Sequence, residues 1–289
     1  MEAINNEVKL NNKPHLIVVS TPIGNLQEIN ERAINAFVNN KYFLVEDSRN
    51  TTKLLQLLNL DYKDKQFIVY HKYNEQAQLN QALQVLAHDN LVLVSDAGYP
   101  AFSDPGYVII NACKEQNIFV EVVNGANAFL DALIVSGWSN HPTTFYGFMD
   151  WTKKQTINYP STILCFYEAV HRINETLQLM ATYFGDLPVC IVRELTKLNE
   201  THYFGTLKTM QIPSEELKGE FVIVINNLKQ EQSVTTDLNE IAKSFLEYNQ
   251  AFDDANLKQR IKLYLALMHL DDIKANDLYE LIIKNKEEH

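Results

Sequence analysis

Cysteine, glycine and positive charge are all scarce in this chain of 289 residues. The three cysteines, Cys113, Cys165 and Cys190, are widely spaced and sit among apolar neighbours. That excludes a disulfide framework and reads as small buried hydrophobes of a reducing compartment. No spacing of Cys and His matches a metal site, so no metal is expected. No apolar run approaches the roughly 18 residues of a membrane span, and no membrane partner is expected. The opening Met1-Glu2-Ala3-Ile4-Asn5-Asn6 lacks the basic and apolar regions of a signal peptide, which makes a cytoplasmic location the expectation. Lys and Arg number 25 against 36 Asp and Glu, a formal net charge of −11. Such a balance argues against bulk affinity for nucleic acid, though it leaves room for a local basic patch. The deficit is densest in residues 231–289, with 7 basic and 12 acidic side chains. What is present is a globular composition, 46% hydrophobic and 21% charged, in a chain long enough for two domains with real cores.

The few glycines cluster in a telling way. Of only 9, several mark strand-to-helix turns in the first half of the chain. The richest turn follows the apolar run Leu91-Val92-Leu93-Val94. From Asp96 to Gly106 it packs two acids, two glycines and two prolines into eleven residues. Gly98 and Gly106 permit positive φ or close ligand approach, and Pro100 and Pro105 stiffen the loop. In an open α/β sheet, ligands bind at the carboxyl ends of strands, where this loop falls. The alternative is a structural turn in which Asp104 caps a helix starting near Tyr107. A similar turn, Thr21-Pro22-Ile23-Gly24-Asn25, follows the run from His15 to Ser20. A third, Asn124-Gly125-Ala126-Asn127-Ala128, follows Ile118 to Val123.

Strand-like and helix-like runs alternate through the first half. Strands are expected at 16–20, 42–46, 67–70, 91–95 and 119–123, and helices at 28–39, 52–58, 75–87 and 107–116. That alternation predicts a mainly parallel sheet with helices on both faces. Strands at 144–148, 161–167, 188–194, 200–205 and 220–226, with one helix at 171–183, predict a second, mixed sheet. The fold class expected is therefore α/β, with domains at 14–124 and 125–228 and a helical extension at 237–289. In that tail, helices at 258–269 and 277–284 are joined by Leu270-Asp271-Asp272-Ile273-Lys274; this reads either as a helix-turn-helix or as a small cap or dimer contact.

Together, Ser20-Thr21-Pro22-Ile23-Gly24-Asn25-Leu26, Glu46-Asp47-Ser48-Arg49, the loop Val94 to Gly106, and Arg193-Glu194-Leu195-Thr196-Lys197 resemble the bacterial small-subunit ribosomal RNA cytidine 2′-O-methyltransferase family. That family belongs to the tetrapyrrole-methylase-like class of S-adenosylmethionine enzymes. The resemblance runs from about His15 to Asn226. It implies two α/β domains with the cofactor, S-adenosylmethionine, in the cleft between them. It also implies a cytidine of small-subunit (16S) ribosomal RNA near the decoding centre as substrate, and a homodimer. On matching positions it implies a cofactor site of Pro22, Ile23, Asp96, Ala97, Gly98, Tyr99, Ala126, Asn127, Ala128, Phe129, Tyr167, Leu195, Lys218 and Gly219. A carboxylate such as Asp96 suits either an ammonium or a ribose hydroxyl. The chain departs from the family at several positions. Tyr99 stands where a Thr is usual, Ala126-Asn127 replaces Pro-Ser, Tyr73 replaces the second His of Tyr70-His71-Lys72-Tyr73-Asn74-Glu75, and Ala169-Val170 replaces Ser-Pro in Tyr167-Glu168-Ala169-Val170-His171-Arg172.

Glu46, Asp47 and Arg49 follow a strand and belong to the same sheet edge as the cofactor turns. They are the candidate catalytic group: Arg49 would orient a phosphate or ribose and a carboxylate would polarise the attacking hydroxyl. The alternative is a structural ion pair. Arg49, His71, Asn74, Lys153, Lys154, Arg172, Arg193 and Lys197 are the candidate RNA contacts. Lys153 and Lys154 follow Trp151, an aromatic that beside basic residues could stack on a base; the alternative is ordinary solvated surface. No single general base stands out. Two rival functions remain open at this point. One is a methyltransferase of the same fold acting on a tetrapyrrole or other small acceptor. The other is a non-enzymatic RNA-binding assembly factor, with Tyr99 and Ala126 as lesions in the cofactor site. A nicotinamide dehydrogenase is disfavoured by the lack of a G-x-G-x-x-G turn.

Overall fold

The computed structural model describes residues 13–151, 159–228, 237–249, 257–267 and 273–287. The chain divides into two compact units, 1–227 and 228–289. In the first unit, strands β1 (Leu16–Val19), β2 (Tyr42–Val45), β3 (Gln66–Val69), β4 (Leu91–Val94) and β5 (Val120–Val123) form a parallel sheet in the order β3-β2-β4-β1-β5. Between them run α1 (Glu31–Asn39), α2 (Ser48–Leu57), α3 (Glu75–Leu86) and α4 (Tyr107–Glu115).

The near-continuous apolar strands are explained by burial on both faces. Leu16, Val18, Leu44, Leu91 and Leu93 point to one side, where Ala82 and Leu86 of α3 and Ile109 and Cys113 of α4 cover them. Ile17, Val19, Phe43, Val45, Val92 and Val94 point to the other, under Ala33, Ala36 and Phe37 of α1 and Leu55 of α2. Two helices start away from the expected positions. α1 begins at Glu31, after a 3-10 turn at Leu26–Glu28, because Asn30 accepts the Ala33 N–H as its cap. α2 begins at Ser48, four residues before the expected 52, because Asp47 accepts the Arg49 N–H at 2.8 Å.

Helix α5 (Ala128–Ser136) leads into a second sheet of β6 (Thr143–Phe148), β7 (Ile163–Ala169), β8 (Pro188–Arg193), β9 (Thr201–Thr206) and β10 (Glu220–Asn226), in the order β6-β7-β10-β8-β9. β6 pairs β7 in parallel and the other pairings are antiparallel, which is the mixed sheet expected. One face carries Leu164, Phe166, Ile191, Ile223 and Ile225 beneath Ile173, Leu177 and Met180 of α6 (Ile173–Phe184), with Trp151 against the same cluster. α5 packs on β7, β8 and β10. All three cysteines are free and buried, and burial pushes each thiol up to about 12.

The second unit holds α7 (Leu238–Asn249), α8 (Leu257–Leu267) and α9 (Ala275–Glu287) around their own core of Ile241, Phe245, Ile261, Tyr264, Leu278 and Ile282. The tail thus has a further helix, α7, besides the two expected. Residues 270–272 of the expected connector lie outside the described residues. Among the described residues no helix is long and apolar enough to cross a membrane.

Candidate functional site

The three glycine-bearing turns stand at the carboxyl edge of the first sheet and brace one another. Thr21 and Gly98 exchange backbone hydrogen bonds at 2.9 and 3.0 Å, an isolated antiparallel bridge between the first and second turns. Ser20 Oγ donates to the Ala126 carbonyl at 3.0 Å, and the Gly125 N–H donates to the Tyr99 hydroxyl at 3.0 Å, tying in the third. A Cβ on Gly125 would lie 2.9 Å from the Ser20 side chain, so the close approach needs glycine there. The second turn is also strained. Ala101 and Ser103 hold left-handed φ values of 63° and 72° without being glycine, at a cost of ~1 kcal/mol or more each. Such strain concentrates where the surrounding structure holds a loop in one working shape. Asp104 does not cap α4. Gly106, at φ 142°, occupies that position without a side-chain cap, and its N–H donates to Glu75 Oε1 at 2.8 Å.

The second sheet supplies the facing wall. After β8 the chain turns through Glu194 and Thr196, at φ 55° and 65°. Glu194 Oε1 accepts from the Glu220 N–H at 3.1 Å and from Lys197 Nζ at 2.8 Å. Gly219, at φ 85°, has no room for a Cβ, which would fall inside the Glu194 carboxylate. Lys197 also reaches Glu220 Oε2 at 2.8 Å, while its stem fills the space where a side chain on Gly24 would be. That stem brings the β8–β9 turn against the first turn of the other sheet.

Between these walls lies a cavity of ≈ 530 Å³. That volume falls within the ~300–1,000 Å³ usual for cofactor and small-molecule sites. From the first sheet come Ile23, Glu46, the turn Asp96-Ala97-Gly98-Tyr99, Phe102, Ser103 and Asp104, followed by Asn127 and Ala128 at the start of α5. From the second come Phe148, Tyr167 to Val170, Val192, Leu195 and Gly219 to Val222. Five of these residues are acids, and no Lys or Arg is among them. Burial, then the charge of Asp96, raises the Glu46 carboxyl. Asp104 goes further: burial, then the charges of Glu46 and Asp96, push it up to about 7. Burial pushes the Tyr167 phenol up to about 12, so it stays a neutral donor. Glu168 is different in kind. It is 2% exposed and fully engaged, accepting from Thr176 Oγ1 at 2.6 Å, from the Ala169 N–H at 2.7 Å and from Arg172 at 2.8 Å. It holds the start of α6 in place.

Of the expected cofactor positions, the structure brings Ile23, Asp96, Ala97, Gly98, Tyr99, Asn127, Ala128, Tyr167, Leu195 and Gly219 to the cavity wall. Pro22, Ala126, Phe129 and Lys218 are not in the lining and act behind it. The Ala126 carbonyl accepts from Ser20, Phe129 stacks on Phe102 and packs at a tilt on Phe145, and the Lys218 carbonyl accepts from Arg193 Nε at 2.9 Å. Asn127 also caps α5, accepting the Phe129 and Leu130 N–H groups, so its replacement of the usual Ser keeps the cap. Of the catalytic group, Glu46 is in the cavity. Asp47 and Arg49 stand outside it as an ion pair, with Arg49 Nη2 2.5 Å from Oδ2 of a half-buried Asp47 and the Arg49 side chain 88% exposed. The guanidinium holds the Asp47 carboxyl down at about 2.

The expected RNA contacts separate. His71 and Asn74 form the β3–α3 turn, where the His71 N–H donates to Asn74 Oδ1 at 2.7 Å and Asn74 Nδ2 donates to the Val69 carbonyl at 2.9 Å. Arg172 is paired with Glu168 and Lys197 with Glu194 and Glu220. Arg193 does not suit an RNA contact: it is 7% exposed, and its guanidinium donates to the carbonyls of Lys218 and Asn199 at 2.9 and 3.1 Å. It staples the β8–β9 turn from inside. Lys153 and Lys154 lie outside the described residues. Sequence reasoning missed Asp104, Phe102 and Phe148 as wall residues. For Asp104 the signal was present, a second acid in the glycine-proline loop, but it also matched a helix cap.

The family described as tetrapyrrole (corrin/porphyrin) methylases matches residues 15–211. A ribosomal RNA small subunit methyltransferase I of Mycoplasma genitalium is 44% identical over 220 residues, covering 73% of this chain and 79% of the relative. The Bacillus subtilis protein of the same name is 34% identical over 226 residues, 75% of this chain and 76% of the relative. Among solved structures, diphthine synthase aligns with a TM-score of 0.55 at 11% identity, over 74% of this chain and 90% of that one. The uroporphyrin-III-C-methyltransferase of Thermus thermophilus aligns at 0.51 and 14%, over 74% and 95%. At those identities the likeness to solved structures is one of fold.

Proposed function

The chain belongs to the family of tetrapyrrole (corrin/porphyrin) methylases, and from that premise we propose that it uses S-adenosylmethionine to methylate small-subunit ribosomal RNA, at the 2′-oxygen of a cytidine ribose. The observation that carries the reading is the cavity, where the Asp96–Tyr99 turn of one sheet faces Tyr167, Leu195 and Gly219 of the other. Its chemistry suits this cofactor. The wall is acidic without a counter-cation among the described lining residues, and S-adenosylmethionine brings a sulfonium and an ammonium. A phosphate-bearing dinucleotide would meet Glu46, Asp96 and Asp104 with no Arg or Lys to receive it. Phe148 and Tyr167 offer aromatic surface for a base.

When bound, the cofactor supplies an electrophilic methyl group on a positively charged sulfur. The chain's own part is to hold and orient. Asp96 is steadied by Asn50 Nδ2, which donates to its Oδ2 at 2.7 Å, and is placed to take an ammonium or a ribose hydroxyl. The braced backbone of the turns keeps the wall in one shape, so positioning provides much of the rate. The hydroxyl proton of the substrate needs an acceptor near neutral pH. Asp104, at about 7, is matched to that task once it is ionised, with Glu46 beside it. Arg49, exposed at the same sheet edge and screened by solvent in its pair with Asp47, is available to a phosphate.

The decoding-centre address, a cytoplasmic location and a homodimer complete the proposal. Leu130 and Ile134, four residues apart on α5, are 49% and 66% exposed and offer an apolar strip for a second copy. Sedimentation of the purified protein measures that state directly. For the reaction, ribosomal RNA from a strain lacking the gene is digested and its nucleosides are identified by mass spectrometry. Loss of one 2′-O-methylcytidine from the small-subunit RNA, restored by the gene, is the expected result. An unchanged set of methylated nucleosides contradicts the proposal. Labelling of a porphyrinoid in place of small subunits, by the purified protein with labelled cofactor, would shift the reading to a small acceptor.

A further inference from the structure

The β3–α3 turn carries a feature that the proposed reaction has not yet used. Tyr73 is 84% exposed, among the most exposed large side chains described. Its hydroxyl has no hydrogen-bond partner among the described residues. Among the described residues, its aromatic and cation contacts come from its own turn, with the Lys72 ammonium 4.8 Å from the centroid and the His71 imidazole edge-on at 6.0 Å. The backbone beneath is held firmly. The Tyr73 N–H donates to His71 Nδ1 at 3.3 Å, and the Asn74 N–H to the His71 carbonyl at 2.8 Å. The ring is therefore presented outward from a turn of fixed shape, and its solvent-facing surface is unclaimed.

The turn also lies at the site. Glu75, which opens α3, accepts the Gly106 N–H and so joins this turn to the cavity loop. His71 and Lys72 are close enough to Glu46, a cavity residue, to oppose the rise of its carboxyl. Arg49 follows the neighbouring strand β2, which pairs with β3 through Val45 and Val69. An exposed ring with a cation against it, near a second exposed cation, is the combination that binds single-stranded nucleic acid: the ring stacks on a base and the cations neutralise phosphates. An acidic peptide would use the cations and leave the ring unexplained.

We propose that Tyr73, flanked by Lys72, is a stacking step that receives an unpaired base of the substrate RNA next to the nucleotide in the cavity. The proposal rests on the RNA reading above and adds a residue that sets how the substrate is seated. Its test is steady-state methylation of small subunits that lack the modification, by the native chain, Tyr73→Ala and Tyr73→Phe. Tyr73→Ala is expected to raise KM for the subunit roughly 10- to 100-fold, with kcat little changed. Tyr73→Phe keeps the ring and is expected to stay near the native value. The dissociation constant for S-adenosylhomocysteine should be the same in all three, which also shows that each variant is folded. Ultraviolet irradiation of the complex should cross-link Tyr73 to RNA.

An unchanged KM in Tyr73→Ala overturns the stacking step and leaves the RNA reading intact. So does a defect equal in Tyr73→Phe, which would assign the effect to the hydroxyl. A cross-link to a ribosomal protein in place of RNA overturns the base as partner. If the native chain methylates no small-subunit RNA, the underlying reading falls and the step falls with it.

Discussion

The interior of the cavity and its rim carry opposite charge. Inside, Glu46, Asp96 and Asp104 face a space with no Lys or Arg in its described lining. At the rim, Arg49, Lys72 and Tyr73 are exposed. A net charge of −11 hides this partition, because it averages over both. The two regions are built differently as well. Asp96 and Asp104 belong to a turn in which Ala101 and Ser103 are left-handed, whereas Arg49 opens helix α2 and Lys72 lies in the hydrogen-bonded β3–α3 turn, where no positive φ occurs. On the proposed function the two regions divide the work: a cationic cofactor would be drawn to the inside and an anionic polymer to the edge, each field repelling the other's ligand.

The largest expected effect comes from reversing the rim. Arg49→Glu combined with Lys72→Glu should lower kcat/KM for small subunits by ~100-fold or more, from lost phosphate contacts and added repulsion, while calorimetry finds the affinity for S-adenosylhomocysteine nearly unchanged. A parallel loss of cofactor affinity would merge the two regions into one. Next comes Asp96→Ala, which should weaken cofactor binding by roughly 1–3 kcal/mol; an unchanged constant would remove Asp96 from the interior set. Salt separates the regions without mutation. Raising it about fourfold should raise KM for RNA by roughly five- to tenfold if two phosphates are engaged, and should hardly move the cofactor constant.

The smallest effect is on stability. Asp104 sits at about 7 in the folded chain against an ordinary value of 3.8. From ~pH 4 upward the folded chain therefore keeps a proton that the unfolded chain has lost, and the resulting penalty is complete once the pH passes ~7. Asp104→Asn should stabilise the ligand-free protein at about pH 8 and not at about pH 4. The gain is ~1 kcal/mol after allowance for solvent screening, read as ~3 °C in Tm. A shift of equal size at both pH values would mean that charge is not the cause.

Much of this partition was legible in the chain, for reasons that differ by residue. Strand ends were readable because strands buried on both faces are short apolar runs, and the glycine turns mark where they stop. The Asp96–Tyr99 turn was readable from its glycines and prolines at a strand end, Leu195 only through resemblance, and both now line one cavity. What was not legible depended on partners far away in sequence. Arg193 reads as a surface cation until Lys218 and Asn199 close around it. Asp104 reads as a helix cap until Gly106 takes that place and Glu46 and Asp96 come to face it. Asp47 was read as chemistry and turned out to start α2, because a cap and a catalytic acid use the same side chain. Phe102 and Phe148 carry no local signal, since aromatic residues in loops are common and only the meeting of two sheets gives them a shared cavity.

Whether the acidic interior is built for a cation is decided by comparing S-adenosylmethionine with its product S-adenosylhomocysteine, which differs in lacking the methyl and the charge on sulfur. Calorimetric constants for both, from about pH 6 to about pH 8, span the titration of Asp104. Preference for the charged cofactor over the product should rise severalfold with pH, on the order of 1 kcal/mol of added attraction, and Asp104→Asn should flatten the rise. A ratio that stays constant across that range in the native protein would contradict it.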